Sequence, residues 1–127
     1  MGRADRIDRA GEGIKIVDYK TSKNPPPLKE VAASLQLGYY ALAAAEHPEL
    51  ARHGPPVAAE LWYPLAKRKD KVFPFAMSNL DDIRQALITV ADGIRSEDWT
   101  PRVGGHCGRC AFRGVCPAWP EGREGFR

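Results

Sequence analysis

Two short segments separated by Gly11-Glu12-Gly13 constrain this chain more than any other feature. Residues 14–20, IKIVDYK, alternate apolar and polar positions as a half-buried strand does. Residues 3–9 read as a second strand, and the Gly-containing tight turn between the two makes them a β-hairpin. Successive strand side chains point to opposite faces, so Ile14, Ile16, Asp18 and Lys20 share one face and Lys15, Val17 and Tyr19 the other. A carboxylate and an ammonium side by side on a mainly apolar face must either pair or serve chemistry.

The hairpin register sharpens this. With Gly11-Glu12 as the loop, Ala10 faces Gly13 and Asp5 falls directly opposite Asp18; a three-residue loop breaks that pairing. Directly opposed residues hold their Cβ atoms about 4.5–5.5 Å apart. Two carboxylates that close repel unless a proton or a cation lies between them. A hard divalent cation resolves the conflict, since Mg²⁺ takes one or two carboxylates with water and phosphate oxygens. From the residues alone two readings stand: a metal site, or a surface hairpin with scattered charges. Asp8, three residues from Asp5, falls on the opposite face and is expected to form a surface ion pair with a nearby arginine.

Downstream, NPPP at 24–27 breaks the chain, and an Ala- and Leu-rich helix is expected from Lys29 to Glu46, ending before Pro48. Residues 49–57 read as a loop. Strands follow near Ala58–Tyr63, with Trp62 in the core, and Lys71–Ala76, joined by the charged tip Lys67-Arg68-Lys69-Asp70. Ser78 and Asp81 resemble a capping box opening a helix that runs to Glu97. The order β-β-α-β-β-α predicts an α/β fold with a mixed or antiparallel sheet. The 127 residues suit one domain. No apolar run approaches the ~20 residues of a membrane helix, and the N-terminus has no apolar signal segment. A cytoplasmic location is therefore expected, with reduced thiols and no membrane partner. The net charge of +3 permits a polyanionic partner without requiring one.

Gly2-Arg3-Ala4-Asp5 followed by Ile16-Val17-Asp18-Tyr19-Lys20-Thr21 resembles the active-site hairpin of RecB-like PD-(D/E)XK nucleases, whose pattern is G-x-x-D followed by D-x-K. The resemblance implies Asp5 and Asp18 as metal ligands, the backbone carbonyl of Tyr19 as a third, and Lys20 as the catalytic lysine. It also implies a Q-x-x-x-Y element on the next helix, and Gln36-Leu37-Gly38-Tyr39-Tyr40 supplies one. Gln36 and Tyr40, four apart, share a helix face and would help position the DNA strand. The implied fold is a restriction-endonuclease-like core with a mixed sheet flanked by helices, over residues 1–98, with a cysteine-bearing tail over residues 99–127 packed on it. The implied activity is Mg²⁺- or Mn²⁺-dependent hydrolysis of DNA, exonucleolytic, in repair or recombination. The implied partners are single-stranded DNA or duplex ends, with a helicase domain or subunit.

Cys107, Cys110 and Cys116 form C-x2-C-x5-C with Pro117 after the last. Three cysteines cannot complete a four-thiolate site, whether zinc or iron–sulfur. Spacing alone favours a zinc knuckle or leaves three unrelated thiols. The trio also resembles the C-terminal cysteines of the iron–sulfur subgroup of RecB-like nucleases, as in AddB, AdnB and the CRISPR adaptation nucleases. That likeness implies a 4Fe-4S cluster whose fourth cysteine lies upstream, together with a helix carrying a histidine ligand. The chain is accordingly expected to be the C-terminal portion of a longer protein or a truncated product. Arg102, Arg109 and Arg113 on the tail are candidate phosphate contacts. Two rival readings remain: an inactive nuclease fold that binds DNA or a partner, and a zinc-binding interaction domain.

Overall fold

The hairpin forms as its turn chemistry dictates. β1 (Arg6–Ala10) and β2 (Gly13–Tyr19) pair antiparallel, with Ala10 opposite Gly13 and Arg6 opposite Val17. Gly11 takes φ +57° while Glu12 does not, the pattern of a type II′ turn, and glycine enters that region without steric cost. The computed structural model describes residues 3–119; Gly2 of the G-x-x-D pattern and residues 120–127 of the tail lie outside the described residues. The chain divides into two compact units, Met1–Thr89 and Val90–Arg127.

In the first unit β2 also pairs parallel with β3 (Pro56–Trp62), and β3 pairs antiparallel with β4 (Val72–Pro74). The sheet order is β1-β2-β3-β4, a mixed sheet in an α/β fold as the element order predicts. Strand β1 starts later than the sequence pattern suggests. At its lower end the Tyr19 amide donates to the Asp5 carboxylate, so a side chain ends the ladder there. Three short helices make the crossover from β2 to β3: α1 (Leu28–Ala32), α2 (Leu35–Glu46) and α3 (Pro48–Ala51).

Three expectations are corrected here. The single helix over 29–46 is two, because Ser34 caps a new start: its hydroxyl accepts from the Leu37 amide at 3.3 Å. The segment expected to be a loop from 49 to 57 opens with the helical turn α3, since Pro48 at its first position lacks only an amide that would go unbonded anyway. The Ser78–Asp81 capping box is absent. Ser78 sits inside a 3₁₀ turn over Met77–Asn79, ahead of α4 (Leu80–Arg95). The Asn79 side-chain amide and the Ala76 backbone amide both donate to the Ala32 carbonyl, which satisfies the end of α1.

One sheet face carries Ile14, Ile16, Ala59, Leu61, Tyr63, Phe73 and Phe75, which pack with Val31, Leu37, Ala41, Ala44 and Ile83 from the helices. Alternation places Trp62 on the other face, so it is half-buried outside this core, contrary to expectation. There its indole N–H donates to Glu60, Tyr19 meets it edge-on, and Lys15 lies 5.6 Å from the ring centre. Asp8 pairs with Arg6 at 2.7 Å, as its opposite-face placement predicts.

In the second unit α4 ends in a Schellman motif. The Asp98 amide reaches the Gly93 carbonyl and the Glu97 amide that of Ile94. Glu97 holds φ +56°, a conformation that glycine adopts more cheaply. Glu97→Gly is expected to raise stability by about 1 kcal/mol, read from the thermal unfolding midpoint. Beyond it lie 3₁₀ turns at Gly105–Arg109 and Arg113–Val115, around the cysteines.

Candidate active site

Strand β2 delivers Asp18 on the core-facing side at the end of a run of isoleucines, and the helical crossover sets Gln36 and Tyr40 over it. Asp18 is the only buried charged side chain among the described residues, at 4% exposure. Burying a carboxylate is costly unless it is paired. Lys20 Nζ lies 2.6 Å from Asp18 Oδ2, and its side chain keeps about a third of its exposure. Lys20 also donates to the Gln36 side-chain oxygen at 2.8 Å. The Gln36 amide nitrogen in turn stands 3.3 Å from both Asp18 Oδ1 and the Tyr40 hydroxyl, donating to each.

The four residues singled out from two separate sequence elements therefore meet in one connected polar network. Asp5 joins through the backbone: its Oδ2 accepts from the Tyr19 amide at 2.9 Å, one residue beyond Asp18. The ladder keeps the register that sets Asp5 across from Asp18, although Asp5 itself lies just outside β1.

One polar atom in the network is under-satisfied. Among the described residues Asp18 Oδ2 is buried and accepts no hydrogen bond; the Lys20 ammonium lies against it in ion contact without hydrogen-bond alignment. A buried carboxylate oxygen with a spare lone pair fits a hard cation. Among the described residues no group of three or more His, Cys, Asp or Glu side chains could hold a metal. The hairpin contributes two carboxylates, within the one or two that Mg²⁺ takes, and the backbone carbonyl of Tyr19 is oxygen of the same hard type.

Tyr63 was not foreseen as part of this neighbourhood. It is buried on the same sheet face and shares its electrostatic field. Burial pushes its phenol pKa up, the Lys20 charge opposes that, and the Asp18 charge adds to it. Its only sequence signal was strand parity with Leu61. The unfolded phenol ionises near its ordinary value of 10.0, below the folded one, so stability should fall as pH rises through that range. Urea unfolding at about pH 8 and about pH 11 should show a smaller alkaline loss for Tyr63→Phe than for the natural chain.

In the second unit the three cysteines are free thiols, Cys110 exposed and Cys107 and Cys116 half-buried. All three border one small cavity with Arg102, Arg113 and Trp119. The Cys107 sulfur accepts from the Gly104 amide at 3.4 Å. Arg113 lies over the Trp119 ring at 4.7 Å, and Arg109 is exposed. The trio matches three positions of a four-thiolate site in residue type alone: as placed, the three thiols do not form a group that could hold a metal, and a fourth thiol is not among this chain's cysteines. Asp98 is held below the ordinary carboxylate range by hydrogen bonds from Thr100.

The family model described as the PD-(D/E)XK nuclease superfamily matches residues 1–117. No curated protein and no solved structure matches the chain significantly. Among the described residues no helix is long and apolar enough to cross a membrane.

Proposed function

We propose, from the premise that this chain belongs to the PD-(D/E)XK nuclease superfamily, that it hydrolyses phosphodiester bonds in DNA using the Asp18 network. Members of the superfamily are in general metal-dependent nucleases that use Mg²⁺ or Mn²⁺, with DNA as substrate. The observation that supports the reading best is the convergence of Asp18, Lys20, Gln36 and Tyr40 from β2 and α2 into one hydrogen-bonded set.

Asp18 and Asp5, with the Tyr19 carbonyl, would hold the divalent ion. When bound, the ion supplies Lewis-acid stabilisation of the phosphate and a water more easily deprotonated than bulk water. Lys20 Nζ, already beside Asp18, would orient the attacking water and offset charge that builds on the phosphate oxygens. Gln36 keeps that ammonium aimed, because its carbonyl accepts from Lys20 while its amide faces Asp18. Tyr40, at the far end of the chain of bonds, would steady the strand. The finer assignment is exonucleolytic cleavage in repair or recombination, alongside a helicase domain or subunit, in the RecB-like iron–sulfur branch of the superfamily. Arg102, Arg109 and Arg113 would contact phosphates.

Linear single-stranded and duplex DNA, incubated with Mg²⁺ or Mn²⁺, tests the enzyme reading. Asp18→Ala and Lys20→Ala should each slow cleavage at least about a hundredfold. A natural chain that cuts no faster than these variants leaves only a DNA-binding or partner-binding fold.

For the tail, the reading is that Cys107, Cys110 and Cys116 supply three ligands of a 4Fe-4S cluster, whose binding energy would order a segment with little core of its own. Anaerobic purification followed by iron and acid-labile sulfide analysis is expected to find both. Zinc without sulfide would assign the trio to a zinc site instead.

A further inference from the structure

We infer that the cavity beside Tyr40 receives one unpaired nucleobase of the strand whose phosphate lies at Asp18 and Lys20. The inference rests on the nuclease reading above and adds to it the strandedness of the substrate. Within the first unit a cavity of about 250 Å³ opens between the hairpin and α2. Ile7 and Ile16 form one side, and Tyr39, Tyr40, Ala43 and His47 the other. That is below the ~300–1,000 Å³ of a pocket for a drug-sized ligand, and suits a single planar ring system.

The lining is mainly apolar and includes aromatic rings, which suits a planar base better than a sugar. Three of the lining residues, Tyr39, Tyr40 and His47, carry aromatic rings. The Tyr39 and Tyr40 rings stand 6.0 Å apart and tilted by 52°, which makes an open corner. Ile7 and Tyr39 keep 38% and 44% of their surface exposed, so the mouth is accessible. Base–aromatic stacking tolerates any base, because every base has a π-face.

Position supplies the rest. The Tyr40 ring lines the cavity while its hydroxyl accepts from the Gln36 nitrogen that also faces Asp18, each at 3.3 Å. A phosphate at Asp18 and Lys20 thus lies next to the mouth, and an attached base can turn into it. A base inside a duplex cannot enter without leaving its stack, so the site selects a frayed end or a single strand.

The decisive comparison is binding by the full chain, with Ca²⁺ in place of Mg²⁺, of a single-stranded oligothymidylate, its abasic analogue and a blunt duplex. The oligothymidylate is expected to bind about tenfold more tightly than the abasic strand. Tyr39→Ala and Ala43→Leu, which remove a stacking face and fill the cavity, should erase that difference with the far-UV circular dichroism unchanged. Both variants should still hydrolyse bis(p-nitrophenyl) phosphate with Mn²⁺ at the natural rate, since that ester needs no nucleobase pocket. Equal affinity for normal and abasic strands, absence of binding to either, or an Ala43→Leu chain that keeps its preference overturns the inference. A change of oligomeric state in Ala43→Leu with DNA affinity intact overturns it too, and makes the groove an interface between copies. Failure of the nuclease reading looks different: no hydrolysis of the small ester above the Asp18→Ala level, whatever the binding result.

Discussion

Lys20→Met should lower the unfolding free energy by about 3–5 kcal/mol in the absence of divalent metal, whereas Asp18→Asn should cost less than about 1 kcal/mol. The asymmetry follows from burial. Asp18 is 4% exposed and Lys20 is its only ionic partner among the described residues, so removing the ammonium strands a carboxylate in the core. Removing the carboxylate strands little, because the Lys20 side chain keeps about a third of its exposure and can extend to water. Asp18→Asn also retains an acceptor for the Gln36 amide. Unfolding in urea with EDTA and with millimolar Mg²⁺ separates a metal site from a structural ion pair. A cation between the carboxylates takes over the charge compensation, so Mg²⁺ should restore much of the Lys20→Met loss and stabilise Asp18→Asn far less. Equal losses in the two variants, insensitive to Mg²⁺, would mean the pair is structural only.

Gly54→Ala is the second large effect, expected at about 3–5 kcal/mol or a chain that does not fold. Gly54 holds φ +92°, and a Cβ there would stand 2.0 Å from the Glu12 carbonyl oxygen. From the other side, a Cβ on Gly13 would meet the Pro55 carbonyl oxygen at 2.1 Å. Two backbones touch here without side chains between them. The contact is also bonded, since the Ile14 amide donates to Pro55 at 2.9 Å and so aligns β3 beside β2. The register shifts by one residue between Ile14 and Lys15, and beyond that irregularity the same strand pair sets Leu61 beside Asp18 and Trp62 beside Tyr19, the wall of the candidate site. Gly13→Ala should cost a similar amount, and the double variant less than the sum, because both changes break one contact. Chemical denaturation of the three variants measures the coupling. Additive losses would show two independent strains.

The hairpin and its register were legible because they depend on neighbours in sequence. A glycine at the first turn position and strict alternation fix which side chains share a face, and the ladder keeps the Ala10–Gly13 register from which Asp5 falls across from Asp18. The four-residue spacing of Gln36 and Tyr40 likewise fixed their common helix face. The helix boundaries were less legible. Ser34 competes as a cap inside an otherwise continuous Ala- and Leu-rich pattern, and Ala32 draws its closing donors from residues 76 and 79.

Local chemistry thus determined which groups the chain can present together: an acid, a lysine, a glutamine and a tyrosine on two short elements, and three closely spaced thiols. Only the tertiary structure decided that the two elements meet. The crossover packs α2 on the core face of β2, which joins Gln36 to Lys20 and leaves Asp18 buried with one oxygen that, among the described residues, has an ionic partner but no hydrogen bond. It also decided that Trp62 lies outside the core, that Tyr63 enters the neighbourhood of the site, and that a cavity opens beside Tyr40. The reason is range: alternation and capping act over a few residues, whereas burial, close backbone approach and cavity shape depend on segments brought together across tens of residues.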